Sequence, residues 1–347
     1  MNKKLPYGIS DFKTIQEDNF YYIDKTQYIE KLEMMPRYLF FIRPRRFGKS
    51  LLLSMLAYYY DLKYKDRFQE VFKNTYISKH PTKEANSYHI LRFDFSAVDS
   101  ENPRDSMNSY CNKELEEFIR NYDLNIDLKS SSFISNLHNI ISTFSTDNKK
   151  IYLILDEYDN FINKILISNQ DDYKKYITDK EAIFKTFFTI LKVGAGAENA
   201  PLAKMFITGV SPMALFDVTS GYNIGSNIST NPIFNSMVGV TQTELQEMIS
   251  FYKLEDKVDM EVIQQWYNNY RFSSHAQKSI YNTDMILYYI NHFLTNGIPP
   301  DELIDINVRS DYGKLRFLVY TNKKLNGNFN TLQTLIYDNK ITTDKIV

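Results

Sequence analysis

The chain has 347 residues, 43% of them apolar, which is long enough for two domains with substantial cores. Its 41 basic and 42 acidic residues nearly cancel, so no overall charge marks it for nucleic acid or a membrane surface. One cysteine, Cys111, excludes an intramolecular disulfide and suits a reducing compartment. With no signal-like or membrane-length apolar run, the expectation is a soluble cytoplasmic protein that engages no membrane.

Residues 5–36 open with Leu5-Pro6-Tyr7-Gly8-Ile9 and continue through Phe20-Tyr21-Tyr22-Ile23-Asp24-Lys25-Thr26. Asp24 or Thr26 is the expected N-cap of a helix carrying Tyr28, Ile29 and Leu32, and Pro36 ends it. This apolar segment either flanks the base of a nucleotide bound further on or packs as an N-terminal helix on a sheet edge.

Tyr38–Ile42 is a continuous apolar run, the pattern of a strand buried on both faces. Leu51, Leu52, Met55, Leu56 and Tyr59 then recur at helical spacing. Between them, Gly48-Lys49-Ser50 supply the last three positions of the phosphate loop G-x-x-x-x-G-K-[ST]. In such a loop Gly48 lets the backbone curl its N–H groups toward an anion. Lys49 reaches the β- and γ-phosphates, Ser50 ligates Mg²⁺, and the helix adds its positive end. Arg43 stands where the pattern has its first glycine. Arg43, Arg45 and Arg46 fit a phosphate cradle, and they also fit a solvated basic crossover loop.

His89 to Phe95 reads as a second buried strand, and helical periodicity returns over Met107 to Ile119 and Phe133 to Phe144, with Ser130–Ser132 as caps between them. None of the five histidines lies at metal-ligand spacing from another His or Cys. Ile151 to Leu155 is a third apolar run, ending in Asp156-Glu157-Tyr158-Asp159. Acids at the carboxyl end of a parallel strand stand where open α/β sheets bind ligands. Asp156 is then the expected holder of Mg²⁺ beside Ser50, and Glu157 the general base for an attacking water.

A helix is expected over Ile183 to Leu191, followed by Gly194-Ala195-Gly196-Ala197, and a further strand over Lys204 to Thr208. Thr208 and Ser211 are candidates to touch a γ-phosphate or the water, with capping of the following turn as the competing role. Residues 217–236 are rich in Asn, Ser, Gly and Thr and read as a loop at a domain boundary. Beyond them, Thr243 to Phe251, Met260 to Asn268 and Asp284 to Leu294 are helical, with no continuous apolar strand. The cluster Trp266-Tyr267-Asn268-Asn269-Tyr270-Arg271-Phe272 reads as core rather than a base-stacking platform, with Arg271 a candidate sensing arginine.

These stretches resemble the AAA-ATPase-like family of bacterial and fungal proteins. The matching blocks include Tyr22-Ile23-Asp24-Lys25-Thr26, Arg43-Pro44-Arg45-Arg46-Phe47-Gly48-Lys49-Ser50-Leu51, Leu155-Asp156-Glu157-Tyr158-Asp159 and Ile207-Thr208-Gly209-Val210-Ser211-Pro212. In that family an Arg in place of the first glycine is usual. The resemblance implies an α/β P-loop NTPase of the additional-strand, catalytic-glutamate type: a parallel sheet between helices, with a smaller helical lid. The division expected is 1–225 for the ATPase domain and 226–347 for the helical one. Many members carry a PD-(D/E)XK nuclease-like domain after the ATPase, and no acid-Lys strand motif of that kind is expected in 305–347.

The resemblance implies ATP, with Mg²⁺, bound by residues 43–51 and hydrolysed with Glu157, Lys49, Thr208 and Ser211. A nucleotide-gated module that hydrolyses slowly and signals to a partner is the alternative, and a small-molecule kinase is least favoured. Whether the partner is protein, nucleic acid or a second copy of the chain is left open by the sequence.

Overall fold

The computed structural model describes residues 3–98, 102–160, 182–196, 200–211, 224–268 and 270–305, with isolated positions beyond. Two short helices, α1 (Phe12–Glu17) and α2 (Tyr28–Glu33), precede β1 (Tyr38–Ile42) and α3 (Lys49–Tyr60). The chain continues through β2 (His89–Asp94), α4 (Pro103–Asn121), α5 (Phe133–Thr146), β3 (Ile151–Asp156), α6 (Ile183–Ala195), β4 (Leu202–Gly209) and β5 (Ser226–Asn227). Three helices follow, α7 (Gln242–Phe251), α8 (Met260–Tyr267) and α9 (Thr283–Asn296).

The five strands form one sheet in the order β2-β3-β4-β1-β5, every neighbour parallel. β4 therefore lies between the strand that leads into the loop and the strand that ends in acids, the additional-strand arrangement. Both faces are covered, which is why these strands are apolar throughout. Phe40, Leu153, Leu155 and Ile207 meet α4, α5 and α6 on one side. Leu39, Phe41, Ile154 and Phe206 meet α3 and the N-terminal helices on the other.

The expected elements form close to their expected bounds, with two local differences. Asp24 and Thr26 do not cap α2. Asp24 Oδ1 instead accepts from the N–H and hydroxyl of Thr26, and its Oδ2 from Tyr76 N–H, so the pair closes the turn before the helix. At Ser130–Ser132, the first N–H of α5 is taken not by a serine but by Asn108 Oδ1 of α4.

The loop expected over 217–236 lies outside the described residues up to 223. Beyond that it contains β5, which pairs with Leu39 and Phe40. Its residues are polar because this is an edge strand bound through its backbone. The sheet thus runs one short strand past residue 225.

The helices after β5 have their own core, built on Leu245, Met248, Ile263, Ile286, Tyr289 and Ile290. The N-terminal segment packs against that core through Leu5, Tyr7, Tyr21 and Ile23, while Phe12 packs with α3. Residues 5–23 therefore bridge the sheet and the helical group. Lys25 adds a tie: its buried Nζ meets both carboxylate oxygens of Glu244, at 2.6 and 2.8 Å, and the Ser236 carbonyl at 3.0 Å. Glu244 also closes the capping box of α7 with Thr241.

Candidate functional site

The loop from Arg43 to Gly48 turns at the carboxyl end of β1. Gly48 has φ +92°, a left-handed conformation that costs glycine nothing, and from it α3 begins. Lys49, the first residue of α3, is buried and folds back over the loop, donating to the carbonyls of Arg43 and Pro44, each at 3.1 Å. Burial lowers its pKa, and Glu157, Asp156 and Asp159 oppose that shift.

Arg43 does not face the inside of the loop. The residue is 1% exposed, and its guanidinium runs backward, donating to the carbonyls of Ile42 (2.8 Å), Ser229 (2.7 Å) and Phe234 (3.0 Å). It lies between the rings of Phe41 and Phe272, 4.2 and 4.1 Å from their centroids. This corrects the reading of Arg43 as a phosphate-binding side chain. An arginine can replace the glycine because its side chain leaves the loop, and only its backbone stays there. Burial lowers its pKa, and carbonyl dipoles and π faces rather than a carboxylate hold the charge.

At the end of β3, Asp156 gathers three donors. Ser50 Oγ reaches its Oδ2 at 2.7 Å, and Thr208 Oγ1 and the N–H of Glu157 reach its Oδ1 at 2.6 and 3.0 Å. Glu157 follows at φ +51°, a backbone that L-residues other than Asn and Asp rarely hold. That turn sends the two acids different ways, Asp156 into the sheet and Glu157 into a cavity. Burial raises the Glu157 pKa, Lys49 lowers it, and Asp156 and Asp159 raise it further.

Asp159 is buried and brackets the turn after β4, accepting from Val210 N–H at 3.0 Å and Ser211 N–H at 2.7 Å. The contact needs Gly209: a Cβ there would stand 2.4 Å from Asp159 Oδ1 and 2.4 Å from Tyr158 Cε1. Asp159 thus holds the backbone at Val210 and Ser211 through their N–H groups, while the turn after Ser211 lies outside the described residues.

The loop opens into a cavity of about 520 Å³, within the size range of small-molecule sites. Arg45, Arg46, Phe47, Gly48, Lys49, Ser50, Leu51 and Glu157 line it at one end. Ile9, Tyr22 and Ile23 of the N-terminal segment line it with Val238, Met248 and Leu287 of the helical side. Neither Thr208 nor Ser211 lines it, so the structure brings Thr208 to Asp156 rather than to the cavity. Arg271 is exposed and does not line it. Its neighbours Tyr270 and Phe272 pack edge-on against the buried Phe47, at 4.7 and 5.4 Å, as core residues.

No cluster of three or more His, Cys, Asp or Glu that could hold a metal occurs among the described residues. Mg²⁺ in a phosphate loop needs no such cluster, because it keeps water and substrate oxygens and takes one or two protein oxygens. The Ser50 hydroxyl and the Asp156 carboxylate, already in contact at the mouth of the loop, have the donor chemistry for it.

Sequence reasoning missed one set of residues. The loop's carbonyls are held from the helical side by Asn282 Nδ2 on Arg45 O (3.2 Å), Asp284 N–H on Arg46 O (3.2 Å) and Thr283 Oγ1 on Phe47 O (2.9 Å). The sequence signalled only a helix from Asp284, which begins one residue earlier at Thr283 with Asn282 as its N-cap. That the helix starts on a loop some 236 residues earlier is a fact of tertiary structure.

The model of the family described as "Predicted AAA-ATPase" matches residues 6–219, more than half of the chain. A relative from Azotobacter chroococcum mcd 1, described as an uncharacterized protein in the vnfD 5' region, is 26% identical over 300 residues. That match takes in 83% of this chain and 52% of the relative, so the chain spans about half the length of the relative. Among solved structures, Cdc6p from Pyrobaculum aerophilum aligns with a TM-score of 0.43 at 12% identity, over 79% of this chain and 63% of that one. With the family model spanning the loop, the β3 acids and β4, the chain belongs to the AAA-ATPase-like family, a nucleotide-binding ATPase-type module with a P-loop α/β fold.

Proposed function

We propose that the cavity binds ATP with Mg²⁺ and hydrolyses it. The observation that carries this reading is the Ser50–Asp156–Thr208 chain at the end of β3, with Lys49 on one side and Glu157 on the other. A buried carboxylate fixed by two hydroxyls beside a lysine suits a cation and a phosphate better than it suits packing.

In this reading the backbone of 43–48 and the N-terminus of α3 cradle the phosphates, and Lys49 moves from its two carbonyls to the β/γ oxygens. Ser50 and Asp156 would hold Mg²⁺, which would supply charge neutralisation at the phosphates. Glu157 accepts a proton from the attacking water as its oxygen bonds to the γ-phosphorus. The bond to the bridging oxygen breaks, leaving ADP and phosphate. Burial raises the Glu157 pKa and so makes it a stronger base toward that proton. Thr208 acts through Asp156 by fixing the carboxylate. Arg45 and Arg46, rather than Arg271, are placed to add charge in cis. Ile9, Tyr22, Val238 and Met248 form the apolar end for the adenine.

Domains divided near residue 225 would put the phosphate machinery on one side and the lid on the other, with the strap 282–284 as one of their contacts beside residues 5–25. Nothing in this account needs a membrane, and among the described residues no helix is long and apolar enough to cross one. Steady-state phosphate release tests turnover: Glu157→Gln should retain ATP and slow hydrolysis by roughly 10² or more. Wild-type turnover in that variant would move the base elsewhere. No measurable turnover in the parent, with ATP still bound, would favour a nucleotide-gated switch.

A further inference from the structure

Arg46 belongs to two parts of the molecule at once. Its backbone is in the loop at φ +67°, and its carbonyl is held by Asp284 N–H. Its guanidinium, 44% exposed, stands 4.0 Å from Asp284 Oδ1. Asp284 is the second residue of α9, its side chain is only 10% exposed, and it lines the same cavity as Arg46. Its other oxygen, Oδ2, is buried, and the Asp305 side chain stands against this carboxyl. A carboxyl group with a distant cation on one oxygen and the Asp305 side chain beside it therefore stands in the cavity wall next to the loop.

We propose that Asp284 is a positioning residue for Arg46, whose guanidinium is shared between this carboxylate and the phosphates of a bound nucleotide. The inference rests on the nucleotide reading above and adds a regulation to it. A pair at 4.0 Å whose arginine is 44% exposed is weak enough for a polyphosphate to break. Asp284 is too buried to be fully rehydrated when Arg46 leaves, and it then faces added negative charge. Nucleotide binding and the carboxylate form of the helical group thus oppose each other.

Titration gives the sign. Burial raises the Asp284 pKa to about 6, Arg46 pulls it down, and Asp305 pushes it up. The other charged or titratable groups lining the same cavity are Arg45 and Lys49 of the loop and α3, Lys25, Tyr21 and Tyr22 of the N-terminal segment and Glu157 after β3. Tyr7 is a further one, donating its hydroxyl to Asp305. Drawing Arg46 away and adding phosphate charge both favour the neutral carboxyl. Binding then takes up a proton, and affinity rises as pH falls through the region of this pKa.

The test is calorimetric titration of the full chain with ADP and Mg²⁺, from about pH 5.5 to about pH 8, in buffers of different ionisation enthalpy. Wild type should bind about tenfold more weakly at the upper end and take up a fraction of a proton near pH 6. Asp284→Asn keeps the backbone donor and the shape, and it should remove that proton uptake and bind at high pH as tightly as wild type does at low pH. Glu157 and the nucleotide titrate in both proteins, so the difference between them isolates Asp284. In an Arg46→Ala background the gain from Asp284→Asn should shrink, because the residue to be freed is gone. A variant with the parent's pH dependence, an undiminished gain without Arg46, or a parent that takes up no proton would overturn the proposal. Failure of the parent to bind ADP at all would instead overturn the nucleotide reading beneath it.

Discussion

The loop at 43–48 is held from two sides, and the two hold it differently. On the sheet side, Asp156, Asp159 and Thr208 are buried, Gly209 brings the backbone close, and Asp156 and Asp159 are each fixed by two or three donors. On the helical side, hydrogen bonds from 282–284 and from Gly239 N–H take the carbonyls of Arg45, Arg46 and Phe47, and the one ion pair to the loop itself, Arg46–Asp284, is weak. In the proposed hydrolysis, the sheet side would serve as a fixed scaffold for chemistry and the helical side as a contact that can be exchanged. A machine that must let go of its product needs one of each.

If this contrast is right, damage on the sheet side costs folding or turnover and damage on the helical side costs little. The largest effect is expected at Arg43. Arg43→Ala deletes a buried guanidinium held by three carbonyls and two rings, and should lower stability by about 3 kcal/mol, read as a denaturant midpoint. If the folded fraction loses ATP affinity out of proportion to that, Arg43 contacts phosphate after all. Next comes Gly209→Ala, whose new Cβ must displace Asp159 or Tyr158 and should cost about 1–3 kcal/mol.

Why the two sides differ in legibility follows from the same contrast. The sheet side could be read because an apolar run ending in Asp156-Glu157 fixes where those acids stand: burial forces the strand, and the strand end forces the site. Gly48-Lys49-Ser50 was readable for the same local reason. The direction of Arg43 was not, since its partners Ser229, Phe234 and Phe272 lie some 186 to 229 residues on. Nor was the role of Thr208, because parallel pairing with β3 sets it beside Asp156 rather than the cavity. The strap at 282–284 left only a helix start in the sequence, and β5 had no apolar residue to announce it.

Smaller effects refine the picture. Thr208→Val removes one of three donors to Asp156 without disturbing the cavity, and should slow turnover up to about tenfold with ATP affinity nearly unchanged. An equal loss of affinity would mean that Thr208 touches the nucleotide directly. Thr283→Val removes one bond to the loop and should change stability by about 1 kcal/mol or less. A cost above that of Gly209→Ala would show the seam to be the rigid side and reverse the comparison.

The central claim is that residues 43–51 form a phosphate cradle whose flexible cation is Lys49. It is tested most directly by titrating ATP and Mg²⁺ into the wild type and into Lys49→Ala by calorimetry, with circular dichroism confirming that the variant folds. One ATP should bind per wild-type chain, and the substitution should weaken binding more than tenfold, about 1.4 kcal/mol or more. Unchanged affinity in a folded Lys49→Ala protein would contradict the account.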